Sequence, residues 1–425
     1  MSLRLLFVSM HTSPASSPGA GDAGGMNVVE LHQAQALAAL GHTVDIVTRR
    51  SAPDQPDVTD LGGGVRLLHV TAGPEGDLAK SAIDAHIGAF SAGLAALGPY
   101  DLVQSHHWMS GVAAIPVARA WDVAHVQSFH SVAAHPGSPL SEGEPPESGA
   151  RVAGEALIAR ESDAIIAVST AEARTVVERC GADPARVVVI PPGVDLDVFR
   201  PAGPGERRPA CPWCGSRAGY VLMAARLQPL KGGDLAIRAM AELPASVRPD
   251  LVVAGDVSHD FADYRAEVEA LIDELGMRNH VHFVGAQSRS DLAALMRHSQ
   301  ALLVPSHSET FGLVALEGAA SGVPVLASST GGLREVVVHE ETGYLMQDRD
   351  PARWGRCLSE LLANEPLRAR MGVIARVHAR RIKLQQRPSA CFRAVHCVGL
   401  DERQSGIAGH ALRCPGEMRS EIRVQ

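Results

Sequence analysis

At 425 residues the chain has room for two or three domains with real cores, at roughly 100–200 residues per domain, which excludes a small disulfide scaffold. Hydrophobic residues at 46% and charged ones at 20%, with 41 Gly and 27 Pro dispersed along the chain, exclude a disordered protein. A net charge of −8 provides no global field for nucleic acid or an anionic membrane, so an anionic ligand needs a local cluster of cations.

The opening run MSLRLLFVSM is too short for a signal-peptide core with its cleavage site, and no stretch approaches the roughly 20 apolar residues of a membrane span. A cytoplasmic location is therefore expected. Residues 3–9 read as a buried strand, 27–40 as a helix ending at Gly41, and 43–48 as the next strand. Strands follow at 65–70, 102–105, 123–128 and 164–169, with a helix at 83–97. Short uninterrupted apolar strands spaced by helices are what a parallel sheet covered on both faces requires. The stretch 201–218 is rich in Pro, Gly and Arg without periodicity and reads as a linker between domains 1–200 and 219–381. The second batch has strands at 220–225, 251–255, 281–284, 301–305 and 323–327, with helices such as 234–240 and 264–275. The fold class is α/β: two facing doubly wound, Rossmann-like domains with ligands at the carboxyl ends of the strands, in the cleft between them. Residues 382–425 show no helical or strand period and hold three of the seven cysteines. This tail is expected to pack poorly, and its composition resembles high-GC coding sequence read in another frame.

Three motifs bear chemistry. After the first strand, Gly19, Gly21, Asp22, Ala23, Gly24, Gly25, Met26 and Asn27 open a helix whose free N–H groups favour an anion, although a tight turn without ligand is the plain alternative. The spacing is not a dinucleotide fingerprint, and Thr48, Arg49 and Arg50 stand where an acid would bind a ribose. Arg226 and Lys231, followed by Gly232 and Gly233, close the first strand of the second batch and can clamp a diphosphate; alone they equally suit a solvated basic turn. Glu309 follows a strand and Glu317 lies two turns into the next helix, with Phe311, Gly312 and Leu313 between them. The N–H groups of Gly312 and Leu313 suit a phosphate, and the carboxylates suit sugar hydroxyls.

Together these motifs resemble the retaining glycosyltransferases of the glycosyltransferase-B (GT-B) fold, marked by two glutamates separated by seven residues. Within them the likeness is to the mycothiol-pathway branch that moves N-acetylglucosamine from UDP-GlcNAc to inositol phosphate. HTSP at 11–14, GDAGGMNV at 21–28, PGVDLDVFRP at 192–201 and SETFGLVALE at 308–317 carry it, over roughly residues 3–380. The resemblance implies that Arg226 and Lys231 bind the donor diphosphate beside Gly25, Glu309 the transferred sugar and Glu317 the ribose. It implies an acceptor site of His11, Asp22, Gly24, Gly25, Met26, Asn27, Lys80 and Arg151, with His130 next to the reacting sugar. In this sequence His107 stands at the position of the family's acceptor-site tyrosine, Ser131 at that of a threonine, and Gln287 at that of a nucleotide-site arginine, with Arg289 two residues on. The acceptor therefore stays open between inositol phosphate and another small polar molecule, such as an ergothioneine-like thiol in an antibiotic pathway, and a GDP-sugar stays open as donor. A homodimer is a further implication of the resemblance. The family's carboxyl-terminal helix, which packs back on the first domain, is not recognisable.

No cofactor is expected beyond the nucleotide sugar, and no metal, because the two cations already neutralise the diphosphate. Cys211 and Cys214 have half of a zinc-site spacing without a second pair, and the histidine pairs lack an HExxH arrangement. The odd count of seven irregular cysteines suits reduced thiols. Residues 137–149 read as a mobile loop near the acceptor pocket. Two rival functions share the fold class: a non-hydrolysing UDP-sugar epimerase and a catalytically silent sugar-nucleotide sensor.

Overall fold

The computed structural model describes residues 2–16, 19, 23–133, 148–206, 219–257 and 261–385. The first batch of apolar runs forms one sheet of β1 (Arg4–Val8), β2 (Thr43–Arg49), β3 (Val58–Asp60), β4 (Val65–Val70), β5 (Leu102–His106), β6 (Ala124–Ser128), β7 (Ala164–Ala167) and β8 (Val187–Val189). Its spatial order is 3-4-2-1-5-6-7-8, parallel throughout except for the short antiparallel edge strand β3. Helices α1 (Gly25–Ala39), α2 (Lys80–Ile83), α3 (Ile87–Ala95), α4 (Trp108–Ala120), α5 (Gly149–Glu161) and α6 (Thr170–Cys180) cover it. Alternate residues of β1 serve opposite faces: Leu5 and Phe7 pack with Ala34 and Leu37 of α1, while Leu6 and Val8 join the core under α3 to α6.

The second sheet is wholly parallel, with β9 (Tyr220–Ala224), β10 (Asp250–Ala254), β11 (Val281–Gly285), β12 (Leu302–Val304), β13 (Val325–Ser328) and β14 (Gly343–Met346) in the order 11-10-9-12-13-14. Its helices are α7 (Gly233–Ala241), α8 (Tyr264–Glu274), α9 (Arg289–His298), α10 (Leu313–Ala320), α11 (Leu333–Val336), α12 (Pro351–Ala363) and α13 (Glu365–Gln385). Leu222 and Ala224 face α9, α10 and α13, whereas Val221 and Met223 face α7, α8 and α12. Local signals start these helices. Ser169 accepts from the N–H of Glu172 at the head of α6, Ser288 from that of Asp291 at α9, and Asp350 from that of Ala352, with Pro351 first in α12.

Strand order reverses between β1 and β5 in the first sheet and between β9 and β12 in the second. Loops after such paired strands diverge and leave a crevice, so the chain's ligand sites are expected after β1, β5, β9 and β12. The two sheets are tied together at that end. The Ser169 hydroxyl donates to the Thr310 carbonyl at 2.6 Å, the Asp256 N–H to the Gly19 carbonyl at 3.1 Å, and the Ala171 N–H to Glu335 at 3.3 Å. From α13, Arg376 donates to the carbonyls of Leu196, Phe199 and Ala320, pinning the segment that follows the first sheet onto the second core.

Two expectations need correction. The helix at 83–97 is broken: α2 ends at Ile83, a single 3₁₀ turn covers Asp84–His86, and α3 ends at Ala95. The period does not fail at 382, because α13 continues to Gln385 and Ile382 packs into the second core beside Ala375 and Ala379. The rest of the tail, residues 207–218 of the linker with Cys211 and Cys214, and residues 137–147 of the loop lie outside the described residues. No described helix is long and apolar enough to cross a membrane.

Candidate active site

The loops after β1, β9 and β12 meet in a cleft of about 1040 Å³ that is open to solvent. Gly19, Ala23, Gly24 and Gly25 form the wall from the first sheet. The opposite wall holds Arg226, Lys231, Gln287, Arg289, Ser306, Glu309, Leu313 and Glu317. The structure thus brings together seven of the nine residues expected on the donor side. Phe311 and Gly312 support the site from beneath. The Phe311 ring is buried in the second core, and Gly312, at φ +97°, turns the chain into α10 where a Cβ would press into Leu333.

Lys231 Nζ lies 2.7 Å from Glu309 Oε2, with both side chains about one-fifth exposed, and the Ser306 hydroxyl reaches the same oxygen at 3.3 Å. Sequence reading missed what fixes Glu309, the turn Thr330–Gly331–Gly332. There the Gly332 N–H donates to the Glu309 carbonyl at 3.0 Å, and a Cβ on Gly331, at φ +47°, would overlap that oxygen. The signal was present as a further Gly-rich loop after an apolar strand. Glu317 is 5% exposed and burial raises its carboxyl to about 7, opposed by Arg289, whose Nη1 stands 3.3 Å away. Gln287 lines the cleft, yet its amide turns back to the carbonyls of Val284, Gly285 and Ala286, at 2.7 to 3.3 Å.

The residues expected on the acceptor side do not all come together in one place. Gly24 and Gly25 line the cleft already described. Asn27 is buried and consumed at the head of α1, accepting from the Gly24 N–H at 3.0 Å and donating to Thr12 and Ser13, and the half-buried Met26 precedes it. Asp22 lies outside the described residues. A second group gathers after β1, β5 and β6, where the His11 and His107 rings lie 4.1 Å apart and His106 Nδ1 stands 2.8 Å from His130 Nε2. His107 and His130 both hold positive φ, +72° and +58°, a strained geometry for residues with a Cβ. The structure shows His106 as a member that sequence reading had passed over; its signal was only adjacency to His107.

Burial is the first cause of low basicity in this cluster: it pushes His130 down to about 4 and His106 well below its ordinary value, the latter aided by His130. Burial also pushes His11 and His107 well down, followed for His11 by Lys80, Arg226, Arg151 and His130, and for His107 by His11, Lys80, Arg151 and His130. The ring nitrogens of His107 and Nδ1 of His11 are buried without a hydrogen-bond partner. Arg151 pairs with buried Glu155 at 2.9 Å and donates to the Ser131 hydroxyl at 3.1 Å. The arrangement offers neutral imidazoles under a local cationic field, suited to a polar acceptor that bears negative charge. His130 also opens onto an adjoining apolar cavity between α1 and the ends of β6 and β7. No group of three or more His, Cys, Asp or Glu is placed to hold a metal among the described residues, and Cys180 and Cys357 are free thiols.

Comparison with known proteins bears on the family and the fold. Residues 216–378 match the family described as glycosyl transferases group 1, and residues 24–193 match the glycosyl transferase 4-like domain. The D-inositol 3-phosphate glycosyltransferase of Xylanimonas cellulosilytica is 41% identical over 390 residues, 89% of this chain and 93% of that protein. The protein of the same name from Kineococcus radiotolerans is 39% identical over 88% of this chain and 90% of its own length. Among solved structures, the sucrose-phosphate synthase of Thermosynechococcus elongatus superposes with a TM-score of 0.83 at 26% identity, covering 93% of this chain and 99% of that one.

Proposed function

Since this chain belongs to the group 1 glycosyltransferases and has their GT-B fold, we propose that it moves N-acetylglucosamine from UDP-GlcNAc to inositol phosphate with retention at the anomeric carbon. The observation behind this reading is a pair of cation–carboxylate contacts in one cleft, Lys231 with Glu309 and Arg289 with Glu317, with Arg226 in the same lining. A nucleoside diphosphate sugar laid along it has its diphosphate between Arg226 and Lys231, its sugar at Glu309 and its ribose at Glu317.

In this reading the bond between the anomeric carbon and the diphosphate oxygen breaks as Arg226, Lys231 and the head of α10 stabilise the charge that develops on the leaving oxygen. The acceptor hydroxyl attacks from the same face, and its proton passes to a phosphate oxygen. His130 lies against the transferred sugar. The cations supply the charge compensation, and the proposal includes no metal. On the acceptor side Lys80 and Arg151 take the anionic group. A second reading, the same chemistry on another small anionic acceptor, is favoured by one observation: the His107 ring lies tilted against that of His11 with both of its ring nitrogens buried and without a hydrogen-bond partner.

Calorimetric titration with UDP-, GDP-, TDP- and ADP-sugars tests the donor half. UDP-GlcNAc is expected to bind and to raise the melting temperature by mass action, and preference for a GDP-sugar would transfer the reading to another donor.

A further inference from the structure

Glu317 poses a physical problem for the proposed donor site. A carboxylate serves a ribose best when ionised, since charge-assisted hydrogen bonds are roughly twice as strong as neutral ones. Yet Glu317 lies on α10 almost wholly out of solvent, and burial favours its neutral form. The compensating cation comes from α9. Arg289 Nη1 stands 3.3 Å from Glu317 Oε1, and the guanidinium is held 5.0 Å over the Phe199 ring, which fixes its reach. Phe199 is fully buried in the second core, and its carbonyl is gripped by Arg376 of α13. Gln287, two residues before, cannot do this work, because its amide is engaged by the carbonyls at the end of β11.

We propose that Arg289 is a positioning residue for the nucleotide, holding Glu317 ionised and oriented toward the ribose. This inference rests on the donor reading above and adds to it the residue that makes the buried carboxylate usable at neutral pH. Among the described residues, the following charged and titratable groups lie near this carboxylate. Arg226 and Lys231 face the cleft from the end of β9, and Glu309 from the loop after β12. His32 on α1 stands close enough to Arg289 for that charge to lower its basicity, after burial, with Asp195 opposing. Since His32 is pushed below its ordinary value, it stays neutral above pH 7, where Glu317 is expected to titrate once Arg289 is removed.

The test is calorimetric titration with UDP-GlcNAc, whose diphosphate does not change its ionisation over this range, at pH 6, 7, 8 and 9. Wild type, Arg289→Gln, Arg289→Lys and Glu317→Gln are compared. Wild-type affinity is expected to fall below about pH 7, as Glu317 takes up its proton. In Arg289→Gln the fall should begin at least one pH unit higher, giving roughly fivefold or greater weakening at pH 7 and recovery toward pH 9. Arg289→Lys should keep the wild-type profile, and Glu317→Gln should flatten it. Parallel profiles for Arg289→Gln and wild type would mean a lost contact without control of ionisation and would overturn the inference while leaving the donor reading intact. Failure of wild type to bind UDP-GlcNAc at any pH would overturn both.

Discussion

Lys231→Ala is the most informative perturbation of the proposed chemistry. In the structure Lys231 Nζ sits 2.7 Å from Glu309, with about four-fifths of each side chain out of water. A charge-assisted hydrogen bond in such surroundings contributes about 1.5–3 kcal/mol, and the same ammonium is assigned to the leaving diphosphate, where charge rises in the transition state. Taking the upper half of that range, about 2–3 kcal/mol, kcat should fall roughly 30- to 150-fold. Because the loss falls on the transition state, KM for the donor should change much less than kcat. Lys231 and Glu309 are bonded to each other, so the double variant Lys231→Ala with Glu309→Gln should lose less than the product of the single effects. The assay is steady-state release of the nucleoside diphosphate with purified wild type and variants. A variant with wild-type kcat and only a raised KM would refute the reasoning, since Lys231 would then bind ground and transition states equally.

Other expectations follow from the same geometry. Gly331→Ala places a Cβ on the Glu309 carbonyl oxygen in a left-handed backbone, so it should cost about 1–3 kcal/mol, read as a lower melting temperature, and weaken donor binding. Ser169→Ala removes both the cap of α6 and the bond to Thr310, so it should lose about 1–3 kcal/mol in denaturant unfolding and raise the donor KM. Burial raises the carboxyls of Glu30 and Glu172 from 4.5 to about 8. Raised folded values mean that stability is fully present below about pH 4.5 and is lost as pH rises toward 8. Glu30→Gln should therefore melt above wild type at pH 8.5, with the difference shrinking at pH 5; a constant difference would count against the assignment.

Much of the fold could be read from apolar runs, because strands buried on both faces need no alternation and stand out between helices, as 3–9 and 220–225 do. Elements escaped where local pattern is weak. The edge strand β3 has three residues, and β14 is only Gly343–Met346. The run at 83–97 was apolar enough for one helix, yet the 3₁₀ turn Asp84–His86 interrupts it, which no period reveals. At the candidate site, Arg226, Lys231 and Glu309 were legible because each follows a strand with glycines nearby, and Glu317 by its spacing from Glu309. The histidine cluster was not legible as a cluster, since 11, 106, 107 and 130 meet only through the pairing of β1 with β5 and of β5 with β6. Nor was the bond of Arg289 to Glu317, 28 residues apart, which depends on α9 and α10 lying side by side.

The most direct test of the account is the product formed from UDP-GlcNAc and inositol 3-phosphate, read by proton NMR at the anomeric position. The account predicts release of UDP and an α-linked N-acetylglucosaminyl product, the configuration of the donor retained. A β-linked product, or conversion of UDP-GlcNAc to an epimer with no acceptor consumed, would contradict it.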